Sequence, residues 1–302
     1  MSLLATIVLV ALGLLPGHLA ASSHLAGIVP PPSTTPAPIA QTPYEPATIP
    51  VKTTAVTTAP QLSAASAYAV DLSSGMPLYA FHADTQRPIA SVTKLATALV
   101  IARQYQPTDS ITVPKLPTYQ SADEIMGLKA GERFSVHDLL SALLINSDDD
   151  AADALGIATS GSQEAFATHM NQLMSGWGIA VAHFSNPSGL TDAGNGASAR
   201  AVAQIAALAL HNATIKQLVA TPAATIRDAA GRSFTLTTTN QLLQNGQFQG
   251  IKTGYTPAAG NCFVGLTTIQ GHSVITVVLD SGNRFGDSQR LADWINQTYQ
   301  WQ

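Results

Sequence analysis

The most constraining feature of this chain is the stretch Ser91-Val92-Thr93-Lys94, which begins a helical pattern over residues 91–104. Positions i and i+3 of a helix lie on one face, so the Lys94 amine can reach the Ser91 hydroxyl. A serine hydroxyl is a poor nucleophile at neutral pH unless a base lies beside it, and an amine can be that base. Because Ser-x-x-Lys also fits a capping serine followed by a solvated lysine, its meaning depends on the rest of the chain.

Two further segments carry the polar side chains that such a site needs. Residues 145–150 read Ile-Asn-Ser-Asp-Asp-Asp between two helical patterns, and residues 250–255 read Gly-Ile-Lys-Thr-Gly-Tyr before a β-rich tail. Ser-x-x-Lys, Ser-x-Asn and Lys-Thr-Gly, in that order, form the motif set of the penicillin-recognising serine acyl enzymes. We therefore expect three distant parts of the chain to meet in one cleft.

From about residue 65 to residue 294, the chain resembles the serine-type D-alanyl-D-alanine carboxypeptidases, the low-molecular-mass penicillin-binding proteins. The matching stretches are Pro-Ile-Ala-Ser-Val-Thr-Lys at 88–94, Leu-Leu-Ile at 143–145, Met-Asn at 170–171, Phe-Ser-Asn-Pro-Ser-Gly-Leu at 184–190, Ser-Ala-Arg at 198–200 and Gly-Ile-Lys-Thr-Gly-Tyr-Thr at 250–256. The resemblance implies an α+β fold of the β-lactamase/transpeptidase type, in which helices flank an antiparallel sheet and a subdomain is mostly helical.

The resemblance also implies an acyl-enzyme mechanism on peptidoglycan peptides that end in D-Ala-D-Ala. Ser91 is expected to attack the penultimate D-alanine carbonyl, Lys94 to activate Ser91, and Ser147 to relay a proton to the leaving amine. β-Lactams are the expected inhibitors, because they acylate the same serine.

The Lys-Thr-Gly segment is expected to bind the substrate. Lys252 and Thr253 would attract its terminal carboxylate, and Gly254 would leave room for the peptide along the strand. The family's oxyanion hole maps to the main-chain N–H groups of Ser91 and Tyr255. Arg200 and Arg284 could bind acidic wall peptides, but each is expected to be an ion-pair partner or a solvated cation.

One motif position departs from the family pattern, because the asparagine of Ser-x-Asn is replaced by Asp149. Asparagine both donates and accepts, whereas an ionised aspartate only accepts. Asp149 can therefore contact a lysine but cannot donate to a substrate carbonyl. With Asp148 and Asp150 beside it, one carboxylate is expected to be partly protonated. We expect an Asp149→Asn variant to retain or gain activity.

Three functions remain open on the sequence. A carboxypeptidase would trim stem peptides, with endopeptidase or transpeptidase activity as variants that change only the leaving group or acceptor. A β-lactamase of related fold would need a glutamate that positions water for deacylation, and Glu164 has a poor context for that. The third alternative is a non-catalytic module that binds the wall or senses β-lactams, in which Asp149 prevents turnover.

Composition excludes other classes. Charged residues make up 11% of the 302 residues and the formal net charge is -4, so the basic footprint of a nucleic-acid binder is missing. Neither a phosphate-binding glycine-rich loop nor a Cys/His cluster occurs, so neither cofactor nor metal is expected. Cys262, the single cysteine, lies in an apolar run and is expected to be buried.

The N-terminal part predicts export. An apolar run at residues 3–15 is too short to span a bilayer, and small residues follow it, so residues 1–27 are expected to be a signal peptide or a short membrane anchor. Residues 28–60 hold half of the 18 prolines and are expected to be a disordered Pro/Thr-rich linker. The D,D-peptidase domain is then expected at residues 61–302, outside the cytoplasmic membrane.

Hydrophobic periodicity within that domain predicts the order of its elements. Helices are expected at residues 91–104, 136–146, 149–159, 163–177, 199–211 and 288–299. Strands are expected at residues 67–72, 77–81, 221–227, 233–238, 260–269 and 273–279.

Overall fold

The computed structural model describes residues 48–53, 58–120, 123–190 and 194–302, which belong to a compact unit running from Pro46 to Gln302. The expected signal or anchor at residues 1–27 and the expected linker as far as residue 47 lie outside the described residues. Within the described ranges, no helix is both long and apolar enough to cross a bilayer.

The elements follow one another along the chain as a few strands, a helical insert and a return to strands. The strands are β1 Pro50–Lys52, β2 Ser66–Asp71, β3 Pro77–Phe81, β4 Ser110–Thr112, β5 Arg133–Ser135, β6 Ala182–His183, β7 Gly196–Ala197, β8 Ala223–Arg227, β9 Ser233–Thr237, β10 Ile251–Thr256, β11 Gly260–Ile269, β12 His272–Ser281 and β13 Tyr299–Trp301. The helices are α1 Lys94–Gln104, α2 Val136–Ser141, α3 Asp149–Ser160, α4 Gln163–Gly176, α5 Ala199–His211, α6 Ala213–Val219, α7 Gln241–Gln244 and α8 Arg284–Thr298.

An antiparallel five-stranded sheet with the order β10-β11-β12-β2-β3 forms the centre of the domain. Its two longest strands, β11 and β12, each bury six consecutive residues. Successive side chains of a strand point to opposite faces, so an uninterrupted buried run requires cover on both faces. Val264 packs into the core shared with α1, α3 and α5, whereas Phe263 packs into the core shared with α8. The predicted α+β fold is confirmed.

Several predicted elements differ in extent. The helix expected over residues 136–146 is α2 followed by a π-helical turn at Ala142–Asn146. The last helix begins at Arg284 rather than at residue 288, because Asn283 caps it by accepting from the Gly286 N–H. The strands expected near residues 221–227 and 233–238 are β8 and β9, which form a hairpin apart from the central sheet. Cys262 is buried and free, as predicted.

Part of the expected linker is ordered. Pro50–Lys52 pairs antiparallel with Tyr299–Trp301, and the Thr53 N–H donates to the Thr298 carbonyl at 2.7 Å. The Lys52 ammonium also lies over the Trp294 ring, 5.9 Å from its centroid. Residues 50–53 therefore belong to the compact unit instead of the linker, because the C-terminal strand satisfies their backbone groups.

Candidate active site

Ser91 lies in a 3-10 turn, Ala90–Thr93, that leads directly into α1. Lys94 is the first residue of α1, and its Nζ lies 2.7 Å from the Ser91 Oγ. Its side chain is completely buried. The predicted contact between hydroxyl and amine is therefore present, with the amine buried and the hydroxyl at the surface of the cleft.

Ser147 follows the π-helical turn and has a left-handed backbone conformation, with φ of 73°. This conformation ends the helical path and turns the next residue into the start of α3. The Ser147 Oγ accepts from the Lys252 Nζ at 2.8 Å and lies 3.5 Å from the Lys94 Nζ. One hydroxyl thus connects the two buried amines.

Lys252 lies on β10, beside Ser147, and is buried. Burial lowers the pKa of Lys252 to about 7, and the nearby positive charge of Lys94 acts in the same direction. The neighbouring Thr253 hydroxyl is hydrogen-bonded to the Thr239 hydroxyl, which fixes its direction. An amine with a pKa this low can hold or release a proton near neutral pH.

Gly254 brings β10 close to Ser91. A Cβ at this position would lie 2.7 Å from the Ile89 carbonyl oxygen and 3.2 Å from the Ser91 nitrogen, so a larger residue would push the strand away. The next residue, Tyr255, has an exposed side chain on the rim of the cleft. On the far side, the Arg284 guanidinium donates to the Gly254 carbonyl at 2.9 Å.

Asp149 makes three contacts. Its Oδ1 accepts from the Lys94 Nζ at 2.7 Å, its Oδ2 accepts from the Glu124 N–H at 3.2 Å, and its own N–H donates to the Glu124 carbonyl at 2.6 Å. Burial raises the pKa of Asp149, while the Lys94 charge opposes that rise. An asparagine here could accept from only one of the two donors, because its amide nitrogen would face the other.

The other aspartates of this segment are also buried, and they hold backbone groups or take up protons. The Asp150 carboxylate accepts from the N–H groups of Met126, Gly127 and Leu128 at 2.8–3.2 Å. Burial raises the pKa of Asp148 to about 7, with Asn146 as its hydrogen-bond donor. A partly protonated carboxylate in this segment was expected, and Asp148 fits that expectation.

These residues line one cleft. Six of the eight predicted site residues contribute to its surface, whereas Lys94 and Lys252 lie beneath it; the six are Ser91, Ser147, Asp149, Thr253, Gly254 and Tyr255. Six further residues line the cleft that were not among the expected site residues, and they are Asp123, Glu124, Leu190, Thr239, Thr256 and Arg284.

Arg284 is the most informative of these six residues. It was expected to be an ion-pair partner or a solvated cation, and it instead occupies the cleft beside β10. Its position at the N-terminus of α8, after the Asn283 cap, was the available signal. Arg200, by contrast, forms the expected ion pair, with its Nε 2.7 Å from the Asp84 Oδ1.

Comparisons with known proteins agree with this arrangement. The family model described as D-alanyl-D-alanine carboxypeptidase matches residues 52–283. A D-alanyl-D-alanine endopeptidase of Escherichia coli is 32% identical over 263 residues, which cover 84% of each chain. A D-alanyl-D-alanine carboxypeptidase of a Streptomyces species is 33% identical over 245 residues, covering 74% of this chain and 83% of the relative.

Solved structures give the same result. The crystal structure of a Streptomyces DD-transpeptidase is similar with a TM-score of 0.72 and 28% identity, covering 79% of this chain and 99% of that one. Since the family model spans well over half of the sequence, this protein belongs to the D-alanyl-D-alanine carboxypeptidase family.

Proposed function

We propose that this protein is a serine D-Ala-D-Ala carboxypeptidase, which removes the terminal D-alanine of peptidoglycan stem peptides through an acyl-enzyme. The observation that carries the proposal is the 2.7 Å contact between the Ser91 Oγ and the buried Lys94 Nζ at an open cleft. Family membership supports the same chemistry.

Acylation starts with attack of the Ser91 Oγ on the carbonyl of the penultimate D-alanine. Lys94 takes the hydroxyl proton as the bond to the carbonyl forms, and the Asp149 carboxylate, 2.7 Å away, stabilises the resulting ammonium. Ser147 passes its proton to the leaving nitrogen, which departs with the terminal D-alanine, and Ser147 regains a proton from the Lys94 ammonium 3.5 Å away. Water then attacks the ester and releases the shortened peptide.

Substrate orientation depends on the β10 side of the cleft. Thr253 and Arg284 line the cleft there and Lys252 lies buried beneath them, so a hydroxyl and two cations suit the free carboxylate of the terminal D-alanine. The N–H groups of Ser91 and Tyr255 would bind the oxyanion of the tetrahedral intermediate. Gly254 keeps the strand close enough to Ser91 for both groups to face the same carbonyl.

Endopeptidase activity is the second candidate. The E. coli relative and a Pseudomonas aeruginosa relative, 30% identical over 243 residues, are both named endopeptidases. The acylation chemistry is the same, and only the leaving amine differs. A β-lactamase is less well supported, because Glu164 lies exposed at the start of α4 and outside the cleft.

Peptidoglycan substrates lie outside the cytoplasmic membrane, so the protein would act as an exported enzyme. Residues 1–27 would serve as its signal peptide or as a short membrane anchor, and residues 28–47 as a spacer. β-Lactams would acylate Ser91 and inhibit it.

The direct test incubates the purified full-length protein with an N-acetylated peptide ending in D-Ala-D-Ala. Free D-alanine is measured, and a parallel sample is labelled with fluorescent penicillin, with Ser91→Ala as the control. D-Alanine release with Ser91-dependent labelling supports the carboxypeptidase. Rapid loss of the label with lactam hydrolysis would indicate a β-lactamase, and stable label without D-alanine would indicate a sensor.

Lys252 predicts the pH dependence. With a pKa of about 7 it carries its charge below that pH and loses it above, so the substrate carboxylate loses one of its two cations as pH rises. We expect kcat/KM to fall by about tenfold between pH 7 and pH 9, mainly through KM. A Lys252→Arg variant, less active overall, should lack this alkaline limb because arginine stays protonated. If kcat/KM of that variant still fell between pH 7 and pH 9, the fall would be due to the titration of another group.

A further inference from the structure

Glu124 is held in the wall of the cleft by its backbone. Its N–H donates to the Asp149 Oδ2 at 3.2 Å, and its carbonyl accepts from the Asp149 N–H at 2.6 Å. The same aspartate binds the Lys94 amine through its other oxygen. The position of Glu124 is therefore tied directly to the residue that activates Ser91.

The segment that follows Glu124 is fixed as well. One buried carboxylate, that of Asp150, accepts from three successive N–H groups, at Met126, Gly127 and Leu128. Backbone donors that are all bonded to one carboxylate leave the segment little freedom to move. Glu124 thus enters the cleft from a rigid wall.

The Glu124 side chain is exposed and lines the cleft together with Ser91 and Ser147. Within the residues that the structure describes, no cation lies within 4.0 Å of its carboxylate and no side chain donates to it. The negative charge of Glu124 still acts on the cations of the site. Burial lowers the pKa of Lys252 and of Arg284, and the Glu124 charge acts in the opposite direction on both. A carboxylate without a protein counter-ion, facing a substrate cleft, is available to a cation of the substrate.

The two walls of the cleft carry different charges. The β10 side of the cleft presents Arg284 with Lys252 buried beneath it, whereas Glu124 lines the cleft from the segment that is bonded to Asp149. When the terminal carboxylate of a peptide binds at the β10 side, the residues before the scissile bond extend toward the Glu124 segment. The group nearest Glu124 is then the side chain of the residue that precedes the D-Ala-D-Ala pair.

We propose that Glu124 is a specificity-determining residue that pairs with an ammonium group on the side chain preceding D-Ala-D-Ala. The preferred substrates are stem peptides whose diamino acid carries a free amine, and peptides in which that amine is blocked or absent are poorer. This inference rests on the proposed carboxypeptidase function and adds the substrate class.

The test compares two N-acetylated peptides that differ in one group, lysine-D-Ala-D-Ala and norleucine-D-Ala-D-Ala. We expect the full-length enzyme to show a kcat/KM about fivefold higher for the lysine peptide, the size typical of a partly exposed ion pair. The preference should shrink as salt concentration rises. In Glu124→Gln the ratio should fall to about one, and Glu124→Asp should recover part of it. Glu164→Gln, which removes an exposed carboxylate outside the cleft, should keep the wild-type ratio.

Binding of both peptides to Ser91→Ala, measured by calorimetry, separates this inference from the proposed function. If neither peptide releases D-alanine, the proposed function fails, and the two dissociation constants still report the charge preference. Equal dissociation constants in Ser91→Ala, or a lysine preference that survives in Glu124→Gln, would overturn the role of Glu124. A lysine preference that disappears in Glu124→Gln and persists in Glu164→Gln supports it.

Discussion

Replacing Lys94 by alanine is expected to lower kcat/KM for a D-Ala-D-Ala peptide by at least about a thousandfold, near the upper range for losing a positioned general base. The Lys94 Nζ lies 2.7 Å from the Ser91 Oγ, and the nearest other amine, Lys252, contacts Ser147 instead. No neighbouring group of the described site is placed to take the Ser91 proton in its stead. Steady-state kinetics and fluorescent-penicillin labelling both measure the loss.

The same substitution also leaves the buried Asp149 carboxylate without its cation, at a cost of about 3–5 kcal/mol. A double variant, Lys94→Ala with Asp149→Asn, removes that charge and separates folding from chemistry. We expect its melting temperature to recover much of the loss while its activity stays as low as in Lys94→Ala. Recovery of activity with stability would show that Lys94 is structural only.

Gly189→Ala is expected to disable the site through the backbone. Its φ is +84°, and a Cβ there would lie 2.1 Å from the Ala90 carbonyl oxygen and 2.8 Å from the Thr93 Oγ1. Because Ala90 precedes Ser91, the turn that carries Ser91 must shift. We expect a destabilisation on the order of 2–4 kcal/mol, from the strained φ and the clash together. Activity should fall about a hundredfold, as is typical of a misplacement near 1 Å.

Gly161→Ala is the matched control. Gly161 ends α3 with the same φ of +84°, but no atom lies within 4 Å of the position that its Cβ would take. Only the conformational cost of about 1–2 kcal/mol applies, and turnover of the folded enzyme should be unchanged. Equal losses of activity in the two variants, measured at matched folded fractions, would show that contact with Ala90 is not what positions Ser91.

The parts of the site that depend on local geometry were predictable from the sequence. Ser91 and Lys94 are three residues apart at a helix start, so their contact follows from helical spacing. The strand expected at residues 260–269 has the bounds of β11. Lys252 could be assigned to the same cleft only through the order of the three motifs.

The residues that were missed reach the site through long-range contacts. Glu124 is held by hydrogen bonds to the carboxylate and from the N–H of Asp149, 25 positions later in the chain, and no periodicity marks its segment. Arg284 lies in the first turn of α8, where the pattern is not yet amphipathic, so the helix was expected to start later. The hydroxyl of Ser147 reaches both lysines because a π-helical turn precedes a left-handed residue, a local geometry that sequence patterns do not specify.

The central claim is that Ser91 becomes an ester during turnover, and acid-quenched mass spectrometry tests it most directly. The full-length protein is mixed with a D-Ala-D-Ala peptide or with penicillin, quenched and mapped by proteolysis. We predict one acyl group on Ser91, equal to the peptide minus D-alanine or to the opened lactam, and none in Ser91→Ala or Lys94→Ala. D-Alanine release that persists in Ser91→Ala, or an acyl group on a different residue, would contradict the account.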